Sequence, residues 1–429
     1  MSPTADPKTR KPKNIFLRLL GPGLVTGAAD DDPSGIATYS QAGAQFGYGL
    51  LWTVFLTTPF MIAIQLVSAQ IGRVTGKGLA ANVMEIAPRW LVLTLVSLLV
   101  AANVFNIAAD IAAMGEAISL VVGGLQHEHA LIVAATSTLL QVFVPYRRYA
   151  PVLKFMTLTL FAYVVTALTV KIPWSTALLS TFWPKSVINT NYFLMIVAVL
   201  GTTISPYLFF WQASQEVEEM NQGKKRRPLR ELPRGGVSEI DRIKIDTIVG
   251  MIFSNTIAYF IIVTTAAVLN AHGITNINSA SQAAEALRPL AGVFTFFLFA
   301  LGIIGTGMLA IPVLAGSAAY GVSETFGWHA TLEAKATDAI GFYAIIAAAT
   351  IVGFGLSFSG IDAIKMLVWS ATLNGIVAVP IMAMMMVIVA NTKLMGRFRA
   401  TNWLIALGWM GTGFMALAVV ALTWSFFAN

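Results

Sequence analysis

Windows of about 18 or more apolar residues recur along this chain, and each is long enough to cross a bilayer core of roughly 30 Å as a helix. Only 11% of the residues are charged and the mean hydropathy is +0.75, values far outside the range of soluble globular domains. The pattern predicts an all-α polytopic membrane protein. Eleven spans are predicted, at about 17–46, 50–72, 91–122, 130–147, 150–171, 191–219, 245–270, 290–318, 340–358, 363–391 and 402–427.

The lysines and arginines are distributed unevenly among the predicted loops. With the N-terminus placed in the cytoplasm, 23 of the 27 lie on that side, 3 lie outside and Lys365 falls within a span. Cytoplasmic loops of membrane proteins carry such an excess of positive charge. We therefore expect a multi-pass protein of the inner (plasma) membrane, with its N-terminus cytoplasmic and its C-terminus outside. The basic stretch 221–244 is interpreted as a solvated loop that follows the same rule, with binding of anionic lipid as the alternative.

Several kinds of function are disfavoured by what the sequence lacks. The absence of cysteine excludes disulfides, thiolate metal ligands and cysteine-based catalysis. The chain has no Ser/His/Asp set, HExxH motif or phosphate-binding loop, so neither an enzyme nor a cofactor is expected. The net charge of +7 lies mostly in loops of a membrane protein, and nucleic acid is not an expected partner. Residues 1–429 are expected to form one transmembrane domain, for which a monomeric state is compatible with the sequence.

The stretch GPGLVTGAADDDPSG at residues 21–35 interrupts the first predicted span. It places three aspartates, Asp30, Asp31 and Asp32, at membrane depth, where a carboxylate costs roughly 2.5–3.5 kcal/mol on insertion scales. Pro33 removes a backbone donor, and Gly35 loosens the helix beside it. We therefore predict a helix broken near the bilayer midplane, where carbonyl groups and a carboxylate together form a cation site.

The sixth predicted span contains a second interruption. A glycine, three hydroxyl residues and a proline cluster in the segment 201–206, GTTISP, which predicts a second unwound turn. Paired broken helices in matching halves of a chain indicate the binding site of an inverted-repeat transporter. Glu216, Glu218 and Glu219 follow at the end of the same span, either at a cation exit or as ordinary surface charge.

Several segments in and around these interruptions form a recognisable set. They are GPG, Asp32-Pro33, SQAGAQFGYGLLW, GTTISPY, AAEALRPL before span 8 and VWSATLNGIVAVP in span 10. Together they resemble the Nramp divalent-metal transporters, and most closely the Nramp-related magnesium transporters. The resemblance implies a LeuT-type transporter fold of five plus five helices in inverted repeats, with helices 1 and 6 broken and the metal between them. On this chain the repeats are about 17–171 and 191–391, and helix 11 follows at about 402–427.

The resemblance also implies candidate ligands. The family binds its metal through an Asp-Pro-Gly-Asn motif in helix 1, and through the alanine carbonyl and methionine sulfur of an Ala-x-x-Met-Pro-His motif in helix 6. Matched position by position, the carboxylate ligand is Asp32. The other positions are occupied by Gly35 for the asparagine, Thr202 for the alanine, Ser205 for the methionine, and Tyr207 and Gln212 for two histidines.

These replacements change the metal that we expect. A thioether favours transition metals, whereas carboxylate, carbonyl and hydroxyl oxygens suit Mg²⁺ and Ca²⁺. Ser205 removes the thioether, and Gly35 removes a ligand and enlarges the cavity, which fits an ion that keeps several waters. Successive side chains on a helix lie about 100° apart, so three consecutive aspartates cannot all face one cavity. Asp32 is the predicted ligand, and Asp30 and Asp31 are predicted to lie in a vestibule or behind the ligands.

Obligatory proton coupling is not expected either. The family's proton route uses the span 6 histidine, acidic residues in span 3 and arginines in span 9. Of these groups the chain keeps Asp110, while Asn103 and Ala113 occupy the other acidic positions and span 9 contains no arginine. In span 10, Asn374 is the candidate for the residue that lines the site.

The sequence therefore favours a divalent metal cation transporter that takes up Mg²⁺, and also Mn²⁺, as a largely hydrated ion by alternating access. The metal ion and the lipid bilayer are its expected partners. A proton-coupled Mn²⁺/Fe²⁺ importer of the Nramp type is the alternative within this class. A sodium-coupled organic-solute symporter of the same fold is the alternative from another class. Asp32 argues against it, since such sites use helix N-termini to bind an anionic substrate group.

Overall fold

In the computed structural model the described residues are 22–144, 148, 151–152, 155, 157–184, 189–222, 227–232, 236–332 and 334–427. Every regular element in these ranges is helical, as predicted. The main helices are α1 (Pro22–Asp30), α2 (Pro33–Phe46), α3 (Leu51–Thr75), α4 (Leu79–Met84), α5 (Arg89–Val122), α6 (Gln126–Phe143), α7 (Phe161–Thr169), α8 (Trp174–Phe182), α9 (Thr190–Thr203), α10 (Pro206–Gln222), α11 (Gly236–Val268), α12 (Thr295–Phe326), α13 (Ile340–Leu356), α14 (Ala363–Ala390) and α15 (Asn402–Phe427). The N-terminal tail, part of predicted span 5 and part of the basic loop 221–244 lie outside the described residues.

Seven helical stretches of the described residues are long and apolar enough to cross a membrane. An eighth is obtained if Leu158–Thr169 and Trp174–Phe182, which are bent by 118° relative to each other, count as one span. One of the seven, Pro33–Thr75, combines the second part of predicted span 1 with predicted span 2, because a helical turn at Gly47–Leu50 joins α2 to α3. The polytopic helical fold is thus confirmed, whereas the number of eleven spans stays a prediction.

The first helix is broken at the predicted place, for a local chemical reason. α1 ends at Asp30, and α2 begins at Pro33. Asp32 has an extended backbone and is the N-cap of α2, where its side chain accepts a hydrogen bond from Gly35 N. An aspartate at the N-cap satisfies one free N–H of the new helix, and a proline at the first helical position has no N–H to satisfy. The sequence Asp-Pro-Ser-Gly therefore starts a new helix inside the span.

The second break lies between Thr203, which ends α9, and Pro206, which begins α10. α9 packs so closely against α14 that a Cβ atom on Gly201 would collide with the backbone of α14. α1 approaches α11 in the same way, and a Cβ atom on Gly27 would collide with the α11 backbone. Close van der Waals packing of this kind holds helices together in lipid, where no hydrophobic force acts between them. Both breaks are thus held in place by close helix crossings.

Loops at one end of the helix bundle contact one another. The Gln70 side chain of α3 donates to Phe398 O at 2.7 Å, and the Arg397 guanidinium donates to Leu232 O at 2.7 Å. The loops after α3, α10 and α14 therefore share one end, which we call the Arg242 end after the arginine near the start of α11. These loops are among those in which the sequence places most of the lysines and arginines.

Candidate cation site

The two helix breaks face each other around Asp32. Its Oδ1 accepts a hydrogen bond from Gly35 N at 2.7 Å, so the carboxylate caps the half-helix that follows it. Its Oδ2 accepts from the Asn106 amide at 3.0 Å and from the Tyr207 hydroxyl at 3.2 Å. Asp32 itself is only 1% exposed. All three donors are neutral, so they orient the carboxylate without neutralising its charge.

Asn106 is a site residue that the sequence analysis does not identify. It is fully buried in α5, and its Oδ1 accepts a hydrogen bond from the Ser370 hydroxyl of α14 at 2.6 Å. The signal that could have found it is its place in an apolar helix, one turn before Asp110. A polar side chain in that position is costly unless it finds a partner.

Asp30 and Asp31 lie on another side of the first break. The Ser254 hydroxyl of α11 lies 2.5 Å from Asp30 Oδ2 and 3.1 Å from Asp31 Oδ1. The single hydroxyl proton of Ser254 is thus shared between the two carboxylates as a hydrogen-bond donor. The other oxygen of each carboxylate has no hydrogen-bond partner. The Asp30–Asp31 pair and Asp32 therefore have different hydrogen-bond partners. Asp30 and Asp31 are buried against α11, so in this conformation neither lines an open vestibule.

The second break supplies oxygen atoms that face the first break. The Ser205 hydroxyl lies 2.7 Å from Gly201 O and 2.9 Å from Thr202 O. The Thr202 hydroxyl is buried and has no hydrogen-bond partner, and a Cβ atom on Gly35 would lie 3.1 Å from it. Because Gly35 has no side chain, the Thr202 hydroxyl faces the first break directly. The structure thus brings Gly35, Thr202 and Ser205 together at the break that also holds Asp32.

Asp110 and Asn374 are buried, and none of their side-chain polar atoms has a hydrogen-bond partner. Asp110 follows Asn106 by one turn of α5, and Asn374 follows Ser370 by one turn of α14. Residues four apart share a helix face. Asp110 therefore lies on the same face as Asn106, and Asn374 on the same face as Ser370. Ser370 and Asn106 are the residues whose hydrogen bonds lead to Asp32.

Gln212 belongs to a different network, at the Arg242 end. Its Oε1 accepts from the Thr26 hydroxyl at 2.5 Å, and its Nε2 donates to Glu216 Oε1 at 3.3 Å. The Glu216 side chain is 0% exposed and pairs with Arg242 at 3.1 Å. The interpretation of Glu216 as surface charge is therefore wrong, because its carboxylate is buried in an ion pair.

The same network holds the start of α1. Gly23 N donates to Asp246 Oδ2 at 2.7 Å, which satisfies a free N–H of this half-helix. Arg242 also pairs with Glu219 at 3.1 Å. With the side chains at both breaks buried as well, the path from the breaks to the Arg242 end is closed in this conformation.

No group of three or more His, Cys, Asp or Glu side chains within the described ranges is arranged to hold a metal ion. A cation at the breaks would therefore meet one carboxylate, Asp32, together with carbonyl and hydroxyl oxygens and water. This donor set suits hard cations, which take oxygen ligands and, in the case of Mg²⁺, retain several waters.

Comparisons with known proteins give a consistent picture. A family model described as Nramp, natural resistance-associated macrophage protein-like, matches residues 23–425. The divalent metal cation transporter MntH of Klebsiella pneumoniae subsp. pneumoniae is 26% identical over 407 residues, which cover 94% of this chain and 92% of the relative. MntH of Yersinia pestis is 26% identical over 409 residues and 94% of each chain.

Solved structures show the same fold. A manganese transporter of Eremococcus coleocola matches with a TM-score of 0.76 at 15% identity, over 98% of this chain and 90% of its own. The inward-facing conformation of Mhp1 matches with a TM-score of 0.51 at 14% identity, over 94% and 90%. These likenesses confirm the predicted fold class.

Proposed function

Because this chain belongs to the Nramp family of metal ion transporters and is not an enzyme, we propose that it carries divalent metal cations across the membrane, with Mg²⁺ preferred and Mn²⁺ second. The cation binds between the two helix breaks, keeps much of its water, and is released by alternating access without an obligatory proton. Asp32 holds the charge of the ion, and Gly35, Thr202 and Ser205 form the rest of the site.

One observation carries this proposal, namely the unneutralised carboxylate of Asp32 at the junction of the two breaks. Within the described residues no lysine or arginine forms an ion pair with Asp30, Asp31 or Asp32. A buried charge without a partner is costly, and a cation that arrives from solution would supply the missing partner. The transported ion and the site are therefore complementary in charge.

The preference for Mg²⁺ is supported by the chemistry of the donors around Asp32. Ser205 and Thr202 offer oxygen atoms, and no thioether stands at the position where the family has one. Gly35 offers no side-chain ligand where the family has an asparagine, and a site with few protein ligands suits an ion that keeps part of its hydration shell, as Mg²⁺ does. Asp30, Asp31, Tyr207, Asp110 and Asn374 are proposed to lie along the pathway or behind the ligands, and Gln212 to act in closing the path.

A proton-coupled Mn²⁺ importer is the second candidate. Two observations favour it: the solved neighbour is named a manganese transporter, and Asp110 is buried without a hydrogen-bond partner. A carboxylate in that state is a group on which a proton can reside. Against it stand Tyr207 and Gln212, which cannot exchange protons near neutral pH as histidine does. Membership of the family argues against the sodium-coupled organic-solute symporter.

The proposed placement in the membrane follows from the charges of the loops. The Arg242 end faces the cytoplasm of the inner (plasma) membrane, with the N-terminus on the same side and the C-terminus outside. In this orientation the membrane potential drives uptake, and it contributes about 4.6 kcal/mol for a divalent ion at 100 mV, from about 2.3 kcal/mol per charge. No second ion is then required to accumulate Mg²⁺.

Uptake by proteoliposomes tests the proposal. The purified protein is reconstituted with a pH-sensitive dye inside, a negative internal potential is imposed, and entry of Mg²⁺, Mn²⁺ and Ca²⁺ is compared. We expect Mg²⁺ entry to exceed Mn²⁺ entry, with no change of internal pH. Acidification that tracks metal entry and disappears in Asp110→Asn would instead establish the proton-coupled importer. The absence of entry for all three metals would contradict divalent cation transport altogether.

A further inference from the structure

A chain of three hydrogen-bonded side chains connects α14 to the first break through α5. The Ser370 hydroxyl lies 2.6 Å from Asn106 Oδ1, and Asn106 Nδ2 lies 3.0 Å from Asp32 Oδ2. All three residues are buried, with exposures of 0%, 0% and 1%. We call this set the Ser370–Asn106–Asp32 relay.

The chemistry of the relay has a single consistent arrangement. An ionised carboxylate only accepts hydrogen bonds, so the Asn106 atom facing Asp32 must be the amide nitrogen. The amide oxygen then faces Ser370, whose hydroxyl must donate to it. Ser370 has a second acceptor in reach, Leu367 O at 2.7 Å. When Ser370 donates its one hydroxyl proton to Asn106 Oδ1, the amide keeps the orientation in which its nitrogen donates to Asp32.

The relay also limits what the carboxylate can offer a cation. A carboxylate has about four lone-pair positions. Gly35 N occupies one on Oδ1, and Asn106 and Tyr207 occupy two on Oδ2. One position therefore remains free, and it is on Oδ1. Such a carboxylate can make a single contact, to a metal ion or to one of its waters, but it cannot grip a dehydrated ion with both oxygens.

We propose that Asn106, held by Ser370, is a positioning and selectivity residue, which keeps Asp32 available for one contact only and thereby favours cations that retain their water. The inference rests on the proposed role of Asp32 as the cation-binding carboxylate. Mg²⁺ dehydrates reluctantly and tolerates a single contact. Without Asn106, a second oxygen of Asp32 becomes available, and ions that shed water more readily, such as Mn²⁺, gain more than Mg²⁺.

The test uses a double-mutant cycle with uptake as the readout. Asn106→Leu, Ser370→Ala and the double variant are reconstituted, and apparent KM values for Mg²⁺ and Mn²⁺ are measured for each. We expect Asn106→Leu to change the ratio of the KM values for Mg²⁺ and Mn²⁺ roughly tenfold in favour of Mn²⁺. Ser370→Ala should produce a smaller shift in the same direction. The double variant should match Asn106→Leu alone, because Ser370 acts through Asn106.

Asn103→Leu is the matched control. Asn103 lies in the same helix, is equally buried, and donates to Leu314 O and to the Ser317 hydroxyl at 2.9 and 2.8 Å. A merely structural role for buried asparagines in α5 predicts that both Asn→Leu variants lose stability and that neither changes the Mg²⁺ to Mn²⁺ ratio. The relay predicts a changed ratio for Asn106→Leu only.

The outcomes separate this inference from the proposed function. If Asp32→Ala stops uptake while Asn106→Leu and Ser370→Ala keep the wild-type ratio, the relay is overturned and the role of Asp32 stands. If Asp32→Ala transports normally, the proposed function itself fails. Should Asn106→Leu not fold, Ser370→Ala decides alone, since an unchanged ratio in that folded variant also overturns the relay.

Discussion

The first helix break and the Arg242 end both bury carboxylates, but they provide opposite kinds of partner. At the break, Asp30, Asp31 and Asp32 accept hydrogen bonds from a backbone N–H, an amide and hydroxyl groups. At the Arg242 end, the buried Glu216 and the more exposed Glu219 each lie 3.1 Å from the Arg242 guanidinium. A buried charge is costly unless an opposite charge accompanies it. The Arg242 end is therefore complete by itself, whereas the break needs a cation or protons from solution.

The break is therefore the place where a mobile ion can bind, whereas the ion pairs at the Arg242 end close the path. The ion pairs at the Arg242 end join the end of α10 to the start of α11, close to the Thr26 and Gly23 contacts that hold α1. Loss of a charge there should affect stability. Loss of a charge at the break should affect transport, because no lysine or arginine in the described part of the chain pairs with that charge.

The largest effect is expected for Asp32→Ala, which should reduce uptake of Mg²⁺ and Mn²⁺ to background. The reason is that no other side chain at the break is placed to replace hydration oxygens with a formal charge. Uptake and thermal unfolding are measured together, and we expect the variant to fold with a modestly lower unfolding temperature, because α2 loses its N-cap. Asp241→Ala, which removes an exposed carboxylate at the Arg242 end, is the control. Wild-type uptake by Asp32→Ala would rule out this carboxylate as the cation-binding group.

Arg242→Met should have the opposite profile, with a large loss of stability. It leaves Glu216 buried without its cation, which costs about 3 kcal/mol, the lower end of the range for a broken buried pair. Chemical unfolding in detergent micelles measures this loss. Adding Glu216→Gln to the same chain removes the unpaired charge and should restore most of the stability.

Lys244→Met provides the comparison for that stability loss. Its ion pair with Asp241, at 3.4 Å, is about half exposed on both sides, and such pairs contribute about 1 kcal/mol or less. An Arg242→Met variant that is no less stable than Lys244→Met would mean that the buried pair of Arg242 with Glu216 contributes no more stability than an exposed ion pair.

The smallest effect is expected for Ser205→Met combined with Gly35→Asn, which restores the ligand types of the family. A thioether and an extra amide should shift the preference toward Mn²⁺ by roughly tenfold. Binding of both metals is measured on folded protein, because a side chain at position 35 approaches the Thr202 hydroxyl and Asp30 O at 3.1 and 3.2 Å. Gly35→Ala tests that steric effect alone. An unchanged Mg²⁺ to Mn²⁺ affinity ratio in the folded double variant would indicate that selectivity is set elsewhere.

Local chemistry made the two breaks and several helix bounds predictable from the sequence. The predicted spans 363–391 and 402–427 correspond to helices at Ala363–Ala390 and Asn402–Phe427. The first break follows from Asp32 as N-cap and Pro33 as first helical residue, an effect that acts within one turn. Hydropathy was less informative about the number of spans, because a helical turn joins α2 to α3 and because α7 and α8 are sharply bent relative to each other.

The partners of the aspartates were decided by tertiary structure. Asn106 and Tyr207 are 74 and 175 positions away from Asp32, and Ser254 is 224 positions away from Asp30. The sequence around an asparagine or serine in an apolar helix does not reveal which neighbouring helix its side chain will face. Which of them meets a carboxylate depends on the faces that the helices turn toward one another, and close crossings such as that of Gly201 against α14 set those faces. Local sequence acts over one or two helical turns, so it could place Asp32 at a break but could not supply the side chains that orient it.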